Sequence, residues 1–224
     1  MDTIVVFDMD GVLAEVSDSY RQSIVETVAH FTGQRIELKA IQDYKNRGGW
    51  NNDWALSQKI AEDLGVPVPY ADVVQKFNEF FLGTNGEGLI MKERWIPEGG
   101  LLDRLSATRD LAIFTGRDRY ELDLTLRRFV PHLRFAPIIC AEDVERGKPA
   151  PDGLLAIQRQ RPGARIWFLG DTVDDARSAR AARVSFVGIA AGMENRNDAL
   201  LDLFRNEGAV AIIDNVNQIE SVIE

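Results

Sequence analysis

Residues 3–13 read Thr3-Ile4-Val5-Val6-Phe7-Asp8-Met9-Asp10-Gly11-Val12-Leu13, an apolar run that ends in two aspartates separated by one residue. The run is rich in β-branched side chains and predicts a buried strand. Because side chains alternate along an extended chain, Asp8 and Asp10 can project on the same side of the strand end. Two carboxylates this close repel each other unless a cation or a proton lies between them. The stretch therefore indicates a metal site or a paired nucleophile and acid, with an ordinary Gly11-containing turn as the alternative.

Composition narrows the classes of partner. The chain has 224 residues, enough for one full domain and a smaller insert, and its formal net charge is −9. Such a charge argues against nucleic acid or an anionic membrane as partner, while a few local cations would still allow a small phosphorylated substrate. The apolar run before Asp8 is too short for a signal peptide, and no stretch is long enough to span a bilayer. We expect a cytoplasmic protein, and no feature indicates its oligomeric state.

Cysteine and histidine chemistry is poorly supported. Cys140 is the only cysteine and lies in an apolar run, which excludes an intrachain disulfide and favours a buried apolar role. The only histidines are His30, in an amphipathic segment, and His132, which follows a proline. Neither has a setting suited to a nucleophile–histidine mechanism.

The hydrophobic pattern divides the chain into two kinds of structure. Helical spacing of apolar residues covers 17–31 and 70–82, and Asn51 or Asn52 could cap a helix through Leu64. From residue 97 onward strands and helices alternate. Predicted strands cover 111–114, 137–140, 165–169, 185–189 and 210–213, and predicted helices cover 121–130, 153–159 and 174–182. This alternation predicts an α/β fold, a Rossmann-like parallel sheet with helices on both faces. Residues 1–14 and 97–224 then form the core, and residues 15–96 form an inserted helical domain.

Three further polar segments follow predicted strands, where ligands bind in open α/β sheets. Thr115-Gly116-Arg117 is either an anion cradle or a simple turn with a capping threonine. Lys148, between Gly147 and Pro149-Ala150-Pro151, is either aimed at a fixed charge or a solvated surface lysine. In Gly170-Asp171-Thr172-Val173-Asp174-Asp175 the aspartates are either ligands or favourable charges at a helix N-terminus. Together the carboxylates call for a hard divalent cation with oxygen ligands, and Mg²⁺ fits.

These four segments, in this order, resemble the four motifs of the haloacid dehalogenase-like hydrolase superfamily. The resemblance spans nearly the whole chain, and the helical insert resembles that superfamily's α-helical cap of the first (C1) type. An acid at Asp10 favours phosphoryl chemistry over dehalogenation. The resemblance therefore implies a Mg²⁺-dependent phosphatase acting on a small phosphorylated metabolite, while a phosphomutase or a non-catalytic binding protein on the same scaffold stays open.

The resemblance also implies roles for individual residues. Asp8 would be the nucleophile that forms an aspartyl-phosphate, and Asp10 would be the general acid and base. Thr115 would bind a phosphoryl oxygen, and Lys148 would hold Asp8 and offset phosphoryl charge. Gly116 and Arg117 join Thr115 as expected substrate-binding residues.

The metal ligands implied are Asp8, the main-chain carbonyl of Asp10, Asp171 and Asp175. Whether Asp174 or Asp175 is the second carboxylate of the last motif stays open at this point.

Substrate choice is expected in the cap. The segment Lys45–Trp54 is unusually polar and aromatic, and Arg47 and Trp50 are the expected substrate-binding residues, with Arg47 in a substrate-facing loop. Trp54 is better explained by packing between helices, and Asp53 could pair with an amine. The segment resembles a subgroup linked with histidine biosynthesis, so histidinol phosphate is a candidate substrate beside sugar phosphates and phosphoglycolate-like acids.

Overall fold

The computed structural model describes residues 2–84, 87–190 and 198–223. It divides the chain into two compact units: Met1–Ala14 with Trp95–Glu224, and Glu15–Arg94. The sequence pattern predicted the divisions after residues 14 and 96, and the structure places them after residues 14 and 94. At the two crossing points the short strands β2 (Ala14–Glu15) and β3 (Arg94–Trp95) pair with each other.

The first unit contains strands that alternate with helices along the chain. Its described strands are β1 (Thr3–Phe7), β4 (Asp110–Phe114), β5 (Ile138–Ile139), β6 (Arg165–Gly170), β7 (Ser185–Ile189) and β8 (Ala211–Ile213). Its described helices are α5 (Leu101–Ser106), α6 (Arg119–Phe129), α7 (Asp152–Gln160), α8 (Val173–Ala182) and α9 (Asp198–Asn206). In the described ranges the strands form one six-stranded sheet in the order β5-β4-β1-β6-β7-β8, and every neighbouring pair is parallel.

Strand β1 lies in the middle of the sheet, between β4 and β6. Alternate residues of β1 are buried on opposite faces, which explains why the strand is apolar throughout. Ile4 and Val6 join a core that includes side chains of α7, α8 and α9, while Val5 and Phe7 are fully buried on the other face. Helices therefore cover both faces, and the predicted Rossmann-like α/β class is confirmed.

The second unit is helical. It contains α1 (Tyr20–Thr32), α2 (Leu38–Arg47), α3 (Asp53–Asp63) and α4 (Tyr70–Phe81). Helix α1 packs against α3 and α4, with the ring of Tyr20 4.0 Å from that of Phe81. Trp54 donates its indole N–H to Asn78 at 3.2 Å and meets the Phe77 ring edge-on, so it packs between helices. In the described ranges no helix has the length and apolar character needed to cross a membrane.

Helix α2 differs from the sequence prediction. Arg47 was expected in a loop, but it is the last residue of α2, and Gly48 is the residue that ends the helix. The helix is strongly polar and Ile41 is its only buried residue. Leu38, Ile41 and Tyr44 do recur at helical spacing, but three apolar residues in a strongly polar segment are a weak signal, and the helix was not predicted.

A substitution at Gly153, near the start of α7, tests how tightly this helix packs on the sheet. A Cβ atom there would lie 2.2 Å from the ring of Phe114, so either the ring or the helix must shift. We expect Gly153→Ala to lower the free energy of unfolding by about 1–3 kcal/mol in urea denaturation.

Gly99→Ala is the matched control, because a Cβ atom at Gly99 meets nothing within 4 Å. We expect the control to leave stability unchanged or to raise it by up to about 1 kcal/mol. Equal effects of the two substitutions would contradict the close packing of α7.

Candidate active site

The ends of three neighbouring strands bring the motifs together. Strands β1, β4 and β6 are parallel and in register, with Phe7 paired to both Ile113 and Leu169. The main-chain N–H of Asp8 donates to the carbonyl of Leu169 at 2.9 Å, so Asp8 leaves the sheet beside the segment that carries Asp171. The motifs that follow β1, β4 and β6 consequently meet at one edge of the sheet.

Lys148 is a buried ion-pair partner and not a surface lysine. Its side chain is 1% exposed, and its Nζ lies 2.8 Å from Oδ1 of Asp8 and 2.7 Å from Oδ1 of Asp175. The ammonium also lies over the rings of Phe114 and Phe168, at 5.0 and 5.4 Å from their centroids. Carboxylates on one side and ring faces on the other hold the charge in place.

Asp175 is fixed by the start of helix α8. Its Oδ2 accepts hydrogen bonds from the main-chain N–H of Thr172 at 3.0 Å and from the Thr172 hydroxyl at 2.6 Å. The Thr172 hydroxyl oxygen in turn accepts the N–H of Asp175, which completes a capping box. The other oxygen, Oδ1, points to Lys148. Glycine is required at Gly170, where a Cβ atom would lie 2.4 Å from that of Asp175.

Three carboxylates form a group that could hold a metal ion. Asp8, Asp171 and Asp175 each offer an oxygen, and these oxygens lie within 4.8 Å of one another. Gly11 makes room for Asp171, because a Cβ atom at this position would lie 2.0 Å from Oδ2 of Asp171. Its φ of +74° also favours glycine. An all-oxygen, carboxylate donor set fits a hard divalent cation such as Mg²⁺.

The structure distinguishes the two adjacent aspartates of the last motif. Asp175 belongs to the carboxylate group. The side chain of Asp174 is buried, and its Oδ1 lies 3.9 Å from the guanidinium of Arg177. Asp175 is therefore the better candidate for the second carboxylate of that motif. Asp10 is outside the carboxylate group in the described part of the chain, which leaves its main-chain carbonyl as the implied ligand.

Burial and charge shift the pKa values of the central pair. Burial raises the pKa of Asp8 well above its usual range; Lys148 opposes this effect, and Asp175 and Asp171 add to it. Burial acts to lower the pKa of Lys148, but the ion pairs with Asp175 and Asp8 outweigh it and raise that pKa. Lys148 thus stays charged, while the ionised form of Asp8 is disfavoured until further positive charge arrives.

Arg117 contacts Asp10, a partner that was not predicted from the sequence. The guanidinium is fully buried, and it donates from Nε to Oδ1 of Asp10 at 2.8 Å and from Nη2 to the same oxygen. Its Nη1 donates to the hydroxyl of Thr125 in helix α6 at 2.8 Å. These contacts hold the guanidinium against Asp10 and helix α6, and a substrate-binding role for Arg117 stays a prediction. The sequence carried no signal for this contact, because Asp10 and Arg117 are 107 residues apart.

Thr115 keeps its predicted position at the end of β4. Its main-chain N–H donates to the carbonyl of Ile139 at 3.0 Å, and its hydroxyl oxygen accepts the N–H of Arg117 at 3.1 Å. No acceptor for the hydroxyl proton is found among residues 2–84, 87–190 and 198–223. The hydroxyl can therefore donate to a bound anion, next to the exposed Gly116.

The helical unit brings its two expected binding residues together around Tyr44. The guanidinium of Arg47 lies 5.0 Å from the Tyr44 ring centroid, and Trp50 meets the same ring edge-on at 6.1 Å. Asp53 is 2.8 Å from the ammonium of Lys45, so its partner is internal to the unit. A substrate-binding role for Arg47 and Trp50 stays a prediction.

The cysteine and the two histidines are not among the residues of this site. Cys140 is buried, and burial raises the pKa of its thiol to about 12, which keeps it protonated at neutral pH. His30 packs edge-on against Phe31, and His132 lies 3.1 Å from Asp103 on the surface.

The raised pKa of Asp8 makes a testable statement about stability. The protonated Asp8 side chain contributes to the stability of the folded protein at a pH below 3.8, the ordinary pKa of an aspartate. This contribution is lost as the pH rises through the raised pKa of the folded state. With a chelator present at mildly alkaline pH, we expect Asp8→Asn to have a free energy of unfolding at least about 1 kcal/mol higher than that of the parent, measured by urea denaturation. The advantage should shrink as the pH is lowered.

Asp123→Asn is the control, since Asp123 is a half-exposed carboxylate 3.7 Å from Arg127 on the surface of α6. It should change the free energy of unfolding by less than about 0.5 kcal/mol at any pH. A destabilised Asp8→Asn protein at alkaline pH would contradict the electrostatic account.

Comparison with known proteins agrees with this geometry. The haloacid dehalogenase-like hydrolase family matches residues 5–189. A Phytophthora nicotianae protein named imidazoleglycerol-phosphate dehydratase is 32% identical over 194 residues, which cover 82% of this chain and 42% of that protein. The chain thus spans less than half the length of that curated relative.

Two solved structures share the fold over nearly their whole length. A proposed phosphoglycolate phosphatase from Haemophilus somnus has a TM-score of 0.76 and 18% identity, covering 100% of this chain and 98% of that one. A proposed β-phosphoglucomutase from Thermotoga maritima has a TM-score of 0.67 and 18% identity, covering 99% and 100%. With its four motifs assembled at one sheet edge, the chain belongs to the haloacid dehalogenase-like hydrolase family.

Proposed function

We propose that this protein is a Mg²⁺-dependent phosphatase that hydrolyses a small phosphorylated metabolite through an aspartyl-phosphate intermediate. The observation that carries the proposal is the setting of Asp8, a buried carboxylate held by the Lys148 ammonium at 2.8 Å. Asp171 and Asp175 lie beside it with oxygens in reach of one cation. Such a site suits a covalent nucleophile that must approach an anionic phosphate.

The two oxygens of Asp8 have different partners. Oδ1 accepts hydrogen bonds from the Lys148 ammonium at 2.8 Å and from the N–H of Met9 at 2.7 Å. Within the described ranges Oδ2 has no hydrogen-bond partner. We assign the attack on phosphorus to Oδ2. Lys148 then keeps the carboxylate oriented and offsets charge on the phosphoryl group, and the Thr115 hydroxyl donates to a phosphoryl oxygen.

Mg²⁺ would be held by Asp8, Asp171 and Asp175, and when bound it supplies positive charge that lowers the repulsion between the nucleophile and the phosphate. Asp10 transfers protons in both half-reactions. In the first, its proton passes to the ester oxygen as the P–O bond breaks and the bond from Asp8 to phosphorus forms. In the second, it takes a proton from water as the water oxygen attacks phosphorus and Asp8 leaves.

The substrate we favour is a phosphate monoester that carries an imidazole, with histidinol phosphate first. Support comes from the relative at 32% identity, whose name refers to an imidazole-bearing glycerol phosphate. The cluster of Tyr44, Arg47 and Trp50 offers aromatic edges suited to an aromatic ring. Sugar phosphates and phosphoglycolate-like acids are the other substrates to compare.

The activity test is release of phosphate from p-nitrophenyl phosphate and from a panel of phosphorylated metabolites. We expect turnover with Mg²⁺, its loss with chelator, and a fall in kcat of at least on the order of 10³-fold in Asp8→Asn. Asp123→Asn, on the surface of α6, should retain the activity of the parent.

A folded, Mg²⁺-supplied protein that releases no phosphate from any member of the panel would contradict the phosphatase proposal. Interconversion of phosphosugar isomers by that same protein would identify a phosphomutase. Specific binding of a phosphorylated metabolite without turnover would identify a binding protein.

The cap residues make a separate prediction about the substrate. We expect Arg47→Ala and Trp50→Ala to raise KM for the preferred metabolite by about 3–10-fold while kcat changes little, because each removes ligand contacts outside the reacting group. Trp54→Phe is the control, since Trp54 packs on Phe77 within the helical unit. Equal KM for the parent and both alanine variants would remove these residues from the binding site.

A further inference from the structure

The contact between Arg117 and Asp10 is asymmetric. Both Nε and Nη2 of the guanidinium donate to the same oxygen, Oδ1 of Asp10. The other oxygen, Oδ2, has no hydrogen-bond partner in the part of the chain that the structure describes. The Asp10 side chain is 30% exposed, whereas that of Arg117 is 0% exposed. One carboxylate oxygen is therefore pinned from inside the protein, and the other is available to a ligand or to solvent.

A purely structural ion pair would be built differently. An arginine that only links two elements gains most from the fork-to-fork arrangement, in which two N–H groups meet two carboxylate oxygens. Here that arrangement is given up, although burying a guanidinium is costly unless it is well paired. The fold instead adds Thr125 of helix α6 as an acceptor for Nη1 at 2.8 Å. The pairing is better explained by a need to keep Oδ2 of Asp10 free.

The same residue also contacts the phosphate-binding side of the site. The main-chain N–H of Arg117 donates to the Thr115 hydroxyl at 3.1 Å, while its guanidinium holds Asp10. The position of the hydroxyl that would bind a phosphoryl oxygen is thus coupled to the position of the acid. A proton donor must be within hydrogen-bond reach of the leaving oxygen, so a fixed distance between these two groups matters for catalysis.

We propose that Arg117 is a positioning residue for proton transfer: it fixes Oδ1 of Asp10 and leaves Oδ2 as the oxygen that exchanges the proton. The inference rests on the proposed function. In the first half-reaction the proton on Oδ2 moves to the ester oxygen while the P–O bond breaks and Asp8 bonds to phosphorus. In the second, Oδ2 takes a proton from the attacking water, and the Asp8–phosphorus bond breaks.

Leaving-group dependence tests the proposal. p-Nitrophenolate departs without protonation, whereas the alkoxide of benzyl alcohol must be protonated as it leaves. We expect Arg117→Lys to lower kcat/KM for benzyl phosphate on the order of 100-fold and that for p-nitrophenyl phosphate less than about 10-fold. Asp10→Asn should show the same selectivity, and the double variant should lose little more than Asp10→Asn alone.

Thr125→Val provides a second variant should Arg117→Lys fail to fold. It removes the hydroxyl that accepts from Nη1 and leaves Asp10 unchanged, and it should show the same selectivity with a smaller loss. Arg119→Gln is the matched control, because Arg119 starts the same helix and pairs at the surface with Asp143. It should leave the ratio of the two kcat/KM values unchanged.

Three outcomes separate the possibilities. A selective loss for benzyl phosphate in the Arg117 or Thr125 variants supports the inference. Equal losses for both substrates in these variants would overturn it while leaving the phosphatase proposal standing. A parent protein that hydrolyses neither these esters nor any metabolite of the panel would overturn the proposed function, and the inference with it.

Discussion

The buried ammonium of Lys148 is the constraint on which the site depends, because it is bonded to carboxylates from the first and last motifs. Asp8 and Asp175 follow different strands, and without a positive charge between them their burial would be strongly unfavourable. Phe114 and Phe168 close the other side of the ammonium. The sheet thus supplies apolar rings on one side of the charge, and the segments that follow the strands supply carboxylates on the other.

The charges of the carboxylate group explain why it is suited to bind a divalent cation. Three carboxylates, from Asp8, Asp171 and Asp175, surround one lysine, while Asp10 is already matched by Arg117. Ionised, the central group carries a net charge of about −2, which burial makes costly and which a single hard dication offsets. The same excess explains why burial and neighbouring carboxylates raise the pKa of Asp8 in the protein without a cation. A phosphate dianion could approach such a site only after that charge has been neutralised.

The features that could be predicted from the sequence are those that depend on residues close together in the chain. Apolar strands that end in polar turns predicted the sheet, and the parallel order meant that Asp8, Thr115 and Asp171 would reach one edge. Helix α2 was missed because most of its residues are polar and, of its apolar side chains, only that of Ile41 is buried. The partner of Arg117 was also beyond prediction, since a buried guanidinium is defined by which distant side chains the fold brings to it. Long-range pairing of this kind leaves no periodic signal in the chain.

Asp8 and Asp10, the two aspartates of the first motif, are each held by a buried cation but have different surroundings. In each, Oδ1 is pinned by a buried cation, Lys148 for Asp8 and Arg117 for Asp10. The side chain of Asp8 is 6% exposed and lies beside other carboxylates, so its free oxygen can meet only what enters the site. The side chain of Asp10 is 30% exposed, so its free oxygen can reach water between half-reactions. A nucleophile must be shielded from solvent, whereas a group that both gives and takes a proton needs contact with it. Asp8 and Asp10 are therefore each held by a buried cation, but their different exposure to solvent suits them to different chemistry.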